Sequence, residues 1–287
     1  MSSFLDKMRS ASTFSAATPW WEGVSTKLIR KSTLVEPSCH VNSPDYGMGN
    51  SRLSVHTLTF EIPQGHNFSG RAIPHNNIRL DYGDVIKVVV PNYKPKSYSL
   101  SDLRPEKNEM DITVKIYPNG RASGYLDRIP VGGYMNSFGM KSGRSRNPGK
   151  FFGGIAFGVG ITEVLPVAEA ELKKGDADKV VVLWASRSSN DTFWSDRIER
   201  MQKEYGDKFE MIYMYSREDS PDPSILKGRI NPTVLKEVFE PRIKKANLLN
   251  SDARFLAIGT KELIALTGKM LTSIGFSMPK QELLPKM

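Results

Sequence analysis

Phe157-Gly-Val-Gly-Ile-Thr-Glu163 sits where two patterns meet. Ahead of it, Phe151–Phe157 is a short apolar run with the length of a buried strand. Behind it, Val164, Leu165, Ala168 and Leu172 recur at helical spacing, so a helix starts near Thr162. A glycine-rich turn from strand to helix gathers free backbone amides and the positive end of a helix dipole, and Gly158 and Gly160 leave room for a pyrophosphate to approach the backbone. Such turns also serve packing alone, and the turn by itself leaves both readings open.

Toward the C-terminus the same rhythm repeats. Val180–Trp184, Phe209–Tyr213 and Arg254–Ile258 read as strands, and helices are expected to start near Asn190, Asn231 and Lys261, the last with Leu263, Leu266, Met270 and Ile274 at helical spacing. Repeated strand–helix units imply right-handed crossovers and a parallel sheet whose ligands sit beyond the carboxyl ends of the strands.

Toward the N-terminus the pattern changes. Lys141–Lys150 is polar, with Gly and Pro, and suits a linker, dividing the chain into domains at 31–145 and 146–287. The first of these shows short β-rich segments at Leu53–Glu61, Val85–Val90, Ser97–Leu100 and Asp111–Tyr117, punctuated by turns such as Ile62-Pro-Gln-Gly65 and Pro118-Asn-Gly120, which implies an antiparallel barrel or sandwich. Ala122–Ile129 reads as a short helix. Residues 1–30 are rich in Ser, Thr and Ala with a small basic excess, fitting either a flexible N-terminus or an organelle-targeting segment.

Composition agrees with two soluble domains: 287 residues, 39% hydrophobic and 25% charged. No apolar run approaches the ~20 residues of a membrane-spanning helix. The one cysteine, Cys39, forms no internal disulfide and points to a reducing intracellular compartment, either cytoplasm or, if the N-terminus is a targeting segment, mitochondrion or plastid. The four histidines, His40, His56, His66 and His75, lack metal-site spacing. A net charge of +9 suits an acidic partner. Nucleic acid is not the expected one, because the chain has no clustered basic helix, zinc motif or aromatic RNA-binding signature.

In the first domain, Lys96-Ser-Tyr-Ser-Leu100 carries a cation for a phosphate, an aromatic ring to pack on a cofactor, and a hydroxyl able to reach a ring nitrogen. Ser123, after Gly120, offers a hydroxyl and helix-start amides to a second phosphate. Taken separately, these are equally a barrel strand and a capped helix.

In this order, from about Leu53 to Phe276, the segments resemble the ferredoxin–NADP reductase superfamily, with wording most like its cytochrome b5 reductase branch. The resemblance implies a six-stranded antiparallel FAD-binding barrel followed by a parallel-sheet, Rossmann-like NAD(P)-binding domain. It implies a reductase passing a hydride from NADPH, or NADH, to FAD and then electrons to a haem or iron–sulfur acceptor, here an acidic protein. Lys96, Tyr98 and Ser99 match the family's Arg-x-Tyr-Ser, which places Lys96 at the FAD pyrophosphate, Tyr98 against the flavin, and Ser99, the catalytic candidate, near the reactive ring nitrogen. Gly120, Ala122 and Ser123 fall in a Gly-x-x-Ser helix start that binds the pyrophosphate. Gly158, Gly160, Ile161 and Thr162 match the loop that contacts the nicotinamide nucleotide, and Gly259 lies in the late Gly segment. Ser216 stands where NADH-preferring members carry an acidic residue, followed by Arg217 and with Arg187 across the implied pocket, and a hydroxyl with guanidinium groups suits a 2′-phosphate.

Three departures fall at the implied site. Lys96 replaces a planar Arg fork with a point charge. Ile258-Gly-Thr260 stands where the family has Cys-Gly-Pro, and the chain ends Leu283-Leu-Pro-Lys-Met287 without the family's terminal aromatic. These losses keep a second reading in view, a reductase-like structural or regulatory subunit of a larger assembly.

Overall fold

The computed structural model describes residues 24–40, 43–49, 51–62, 85–141, 149–175 and 177–276. Six strands, β1 (Val24–Val35), β2 (Val55–Glu61), β3 (Val85–Val88), β4 (Lys96–Arg104), β5 (Glu109–Lys115) and β6 (Tyr134–Lys141), close into an antiparallel barrel in the order β1-β2-β5-β4-β3-β6. Alternation puts one side of each strand inside. Leu58 pairs with Ile112 and Phe60 with Met110 across β2 and β5. All four are fully buried in the barrel core with Leu28, Ile86, Val88 and Leu100. Helix α1 (Arg121–Arg128) plugs the same core with Ala122 and Leu126.

Two barrel strands carry no clear sequence signal. β1 reads VSTKLIRKSTLV, with cations and hydroxyls hiding its alternation, and its pairing with β2 is broken by register shifts. β1 starts at Val24, ahead of the boundary expected at residue 31, and pairs with both β2 and β6, so residues 24–30 belong to the barrel sheet. β6 runs to Lys141, into the expected linker; Arg144 and Arg146 lie outside the described residues, as do the first 23 residues and Leu283–Met287.

The second domain is a parallel sheet in the order β10-β9-β8-β7-β11, built from β7 (Phe151–Phe157), β8 (Lys179–Ser186), β9 (Phe209–Tyr215), β10 (Leu226–Lys227) and β11 (Ala253–Ile258). Helices α2 (Ile161–Lys174), α3 (Ser195–Tyr205), α4 (Pro232–Lys245) and α5 (Lys261–Ser273) cover it. Phe152, Ala156, Val182 and Trp184 pack with α2 and α3. Their neighbours Phe151, Ile155, Val181 and Leu183 pack with α4 and α5 on the other face. Burial on both faces explains the continuous apolar runs. The helix expected near Asn190 begins instead at Ser195, since Ser189–Asp191 make only a single 3₁₀ turn.

From β7 the chain steps to β8, β9 and β10 on one side, while β11 adds on the other. The strand order therefore reverses at the ends of β7 and β11, where open α/β sheets bind ligands. Helix α2 starts at this point, and Ile161–Leu172 are buried throughout because the helix is wedged between the sheet and strand β4 of the barrel. The two lobes share packing: Val35 and Val55 of the barrel join the α2–α3 cluster, and Arg197 donates from Nη1 to the Ser101 carbonyl at 2.8 Å. Among the described residues, no helix is long and apolar enough to cross a membrane.

Candidate active site

One cleft of about 1390 Å³ runs between the lobes, lined from the barrel by Lys96, Tyr98, Ser99 and Gly120–Ser123, and from the sheet by Phe157–Gly160, Thr162, Glu163 and the Ile258–Thr260 turn. This is larger than the ~300–1,000 Å³ of a site for a single small ligand. Sequence segments separated by more than half the chain thus meet across one crevice.

On the barrel side, β4 directs Tyr98 and Ser99 into the cleft at the point where it pairs with β3. Burial, with a smaller contribution from Tyr117, pushes the Tyr98 phenol up to about 12, so its hydroxyl keeps its proton. Lys96 lies 5.5 Å from the Tyr93 ring centre and Arg121 lies 5.1 Å from it, so one aromatic ring gathers two cations at the start of α1. That helix start carries no acidic residue in its first turn. Arg121 and Tyr93 complete the cationic corner that Lys96 alone left weak, and Arg121 was legible only as the unassigned second residue of Gly120-Arg-Ala-Ser123.

Ser123 lines the cleft, yet its hydroxyl closes the turn: it accepts from the Tyr117 amide at 3.2 Å. A Cβ on Gly120 would lie 2.2 Å from the Ser123 Oγ, so Gly120 and Ser123 are matched to each other first.

On the sheet side the glycines divide their work. A Cβ on Gly160 would meet the Ile258 carbonyl oxygen at 2.4 Å, and one on Gly259 would meet the Phe157 ring at 2.8 Å; both glycines are needed for the β7 and β11 turns to touch. Gly158 differs. Its φ is +53°, and a Cβ there would meet nothing within 4 Å, so its face is open to the cleft. The turn is held rigid by Trp184, whose Nε1 donates to the Gly158 carbonyl at 2.8 Å. The Thr162 hydroxyl ties back to the Val159 carbonyl at 2.9 Å. Ile161 is fully buried in the α2 core and is not among the cleft-lining residues, so its side chain packs the core.

At the far end of the cleft, Arg187 is engaged twice by Asp191, from Nε at 3.2 Å and from Nη2 at 2.9 Å, and donates from Nη1 to the Ser51 carbonyl. Its fork is thus largely occupied. Ser216 lines the cleft, whereas Arg217 is exposed and outside the lining; Arg229, on the loop after β10, lines it instead. Lys115, at the end of β5, stands 3.9 Å from Asp191. Burial lowers its amine from the usual lysine range, against the pull of Asp191 and with the push of Arg187. The Ser186 hydroxyl is buried here and has no hydrogen-bond partner among the described residues.

Lys96, Lys115, Arg121, Arg187 and Arg229 face the cleft against Glu163 and Asp191. Five cations over two carboxylates, an open left-handed glycine and an orphaned hydroxyl fit phosphate-bearing ligands at both ends. The lobes touch in the middle, where the Ser99 hydroxyl donates to Glu163 Oε2 at 3.0 Å.

Comparison with known proteins agrees with this geometry. Residues 68–142 match the oxidoreductase FAD-binding domain and residues 155–269 the oxidoreductase NAD-binding domain. The chain belongs to the ferredoxin–NADP reductase superfamily. It is an FAD-dependent oxidoreductase whose second domain takes a nicotinamide dinucleotide. It is 28% identical over 240 residues to an NADH-cytochrome b5 reductase 1 of Mycosarcoma maydis, covering 81% of this chain and 69% of that one. With the NADH–cytochrome b5 reductase 1 of Arabidopsis thaliana it shares 25% identity over 232 residues, 79% of this chain and 78% of the relative. In fold it is similar to the cytochrome b5 reductase domain of Ulva prolifera nitrate reductase, with a TM-score of 0.65 at 17% identity, covering 92% of this chain and 98% of that domain. The described residues thus share the two-lobed architecture of that domain.

Proposed function

We propose that the protein oxidises NADPH, in preference to NADH, and passes the electrons to a haem or iron–sulfur protein with an acidic docking face. When bound, FAD supplies the chemistry, accepting a hydride and releasing electrons singly. The chain's own residues position and exclude. Lys96 and Arg121 neutralise the FAD pyrophosphate at the α1 start, Tyr98 packs on the flavin, and Ser99 presents its hydroxyl at the reacting edge. The Gly158 turn and the α2 dipole take the nucleotide pyrophosphate. Lys115 supplies positive charge along the cleft.

One observation supports the reading: Ser99, on the barrel strand, and Glu163, on the nucleotide turn, are in hydrogen-bond contact, so the residues assigned to the two cofactors line one cleft. Cofactor choice rests on the far end. The relatives above are named for NADH, but Ser216 places a hydroxyl where a carboxylate would repel a 2′-phosphate. Arg229 adds guanidinium charge to the same cleft, with Arg187 behind, held by Asp191, and Arg217, next to Ser216 in sequence, lies outside the lining. The net charge of +9 supports an acidic acceptor, and a lone, half-buried Cys39 fits a reducing compartment, cytoplasm or organelle.

The test is optical. The purified protein is expected to be yellow and to bleach faster with NADPH than with NADH, with Ser216→Asp reversing the order. A colourless protein that takes up no added FAD would overturn the reading. A flavoprotein that neither nucleotide reduces would favour the subunit role, which Ile258 in the cleft supports.

A further inference from the structure

Glu163 has no role in the scheme so far, and its placement asks for one. It closes the turn Phe157–Glu163 at the position where the superfamily's Gly-Gly-Thr-Gly-Ile-Thr-Pro loop, which that turn resembles, ends in proline. It is only 6% exposed, yet it lines the cleft and takes the hydrogen bond from Ser99. It stands in the first turn of α2, at the positive end of the helix dipole.

A hydride can cross from nucleotide to flavin only where the two lobes meet, and the Ser99–Glu163 contact is such a meeting point. The nicotinamide ring is neutral when reduced and carries one positive charge when oxidised. A negative charge on a buried side chain beside the ring therefore distinguishes the two forms, because opposite charges attract more strongly next to protein than in bulk water. We propose that Glu163 is a specificity-determining residue for the oxidation state of the nucleotide: its carboxylate binds the cationic ring of NADP⁺ more tightly than a neutral ring of the same shape. The proposal rests on the reading of this cleft as the nicotinamide site. As hydride leaves, positive charge grows on the ring, so the same carboxylate stabilises the transition state and then slows release of the oxidised product.

The test is equilibrium binding to the FAD-loaded, full-length protein, followed by the perturbation of the flavin spectrum. NADP⁺ is compared with tetrahydro-NADP, whose ring is neutral and cannot give up hydride, and with 2′-phospho-AMP, which has no ring at that end. E163Q is expected to weaken NADP⁺ about tenfold, a change of about 1.4 kcal/mol, and to leave tetrahydro-NADP and 2′-phospho-AMP within twofold. E163D, which keeps the charge, is expected to keep most of the wild-type ratio between NADP⁺ and tetrahydro-NADP. The proposal is overturned if E163Q changes NADP⁺ and tetrahydro-NADP equally, which would make Glu163 a matter of shape, or changes neither. If the wild-type protein binds none of the three, the nucleotide reading itself falls and this proposal with it, an outcome distinct from binding that is indifferent to residue 163.

Discussion

In the turn Gly120–Ser123 the hydroxyl is consumed locally, closing on the Tyr117 amide, and positive charge is supplied from outside by Lys96 and Arg121 gathered on the Tyr93 ring. In the turn Gly158–Thr162 the bracing groups among the described residues are neutral. Trp184 and Thr162 brace the backbone, Gly160 lets it press on Ile258, and Gly158 alone is left open. Two glycine-led turns that look alike as sequence are thus built differently, one on side-chain charge and one on backbone exposure. The difference teaches that substituting the cations at the first should change ligand affinity with little effect on stability, and that at the second the two effects should split between neighbouring glycines.

Gly160→Ala is the largest break. The new Cβ would sit 2.4 Å from a backbone oxygen, and neither strand end can yield without shifting β7 against β11. Destabilisation of about 3 kcal/mol is expected, in the range of overpacked cores, read as a lower midpoint in thermal or urea unfolding. Gly158→Ala meets only open space, and its left-handed backbone costs about 1 kcal/mol. Its main effect should be weaker nucleotide binding, measured by titration. Equal stability losses at both glycines would remove the distinction drawn between them.

How far the sequence reached follows the same line. Elements with one strong period were legible: the apolar runs of β7, β8, β9 and β11 and the helical spacing of α2 and α5. Strands β1 and β6 were not, because their pairing partners lie a hundred residues apart and β1 hides its alternation under cations. At the site, Lys96, Tyr98, Ser99, Gly120, Gly158 and Thr162 all reach the cleft. Lys115, Arg121, Arg229 and Glu163 went unassigned, since lone charges at the end of a strand or the start of a helix are usually solvated. Their meaning comes from what stands opposite, which only the folded chain shows.

The joint between the lobes gives the next effect. Glu169 accepts two hydrogen bonds from Arg197, which also holds the Ser101 carbonyl. Burial pushes the Glu169 carboxyl up, but Arg197 and Lys173 outweigh it and hold it below the usual carboxylate range. A carboxyl depressed in the folded state contributes stability above its unfolded value, near pH 4.3, and loses it as the pH falls through the lower folded value. Glu169→Gln should therefore cost about 2 kcal/mol at neutral pH, as for a charged hydrogen bond. The gap from wild type should close below about pH 4 in melts taken across that range. A gap constant with pH would mean that Arg197 does not depend on the charge of its partner.

On the barrel side, Lys96→Ala and Arg121→Ala are each expected to weaken FAD about tenfold, roughly 1.4 kcal/mol, with unfolding of the apo-protein unchanged within about 0.5 kcal/mol, as befits a half-buried and an exposed cleft charge rather than core packing. Because both cations share the Tyr93 ring, their effects should not simply add. Dilution of the yellow protein, with free FAD followed by its fluorescence, measures this directly. Loss of stability in step with loss of FAD would place these residues in the same class as Gly160.

The smallest effect decides which guanidinium reads the 2′-phosphate. Arg217 follows Ser216 directly in sequence, but it is exposed and outside the cleft lining, and its backbone amide donates to the Arg187 carbonyl. Arg229 reaches the cleft from the loop after β10, and Arg187 is already held by Asp191. Arg229→Ala is thus expected to lower the ratio of kcat/KM for NADPH over NADH about fivefold, about 1 kcal/mol at a solvent-facing charge pair. Arg217→Ala is expected to lower it by no more than about twofold. The reverse order would mean that the β9–β10 segment moves when the nucleotide arrives and carries Arg217 inward. The backbone-built end of the cleft would then be the adaptable one, and the barrel corner the fixed one.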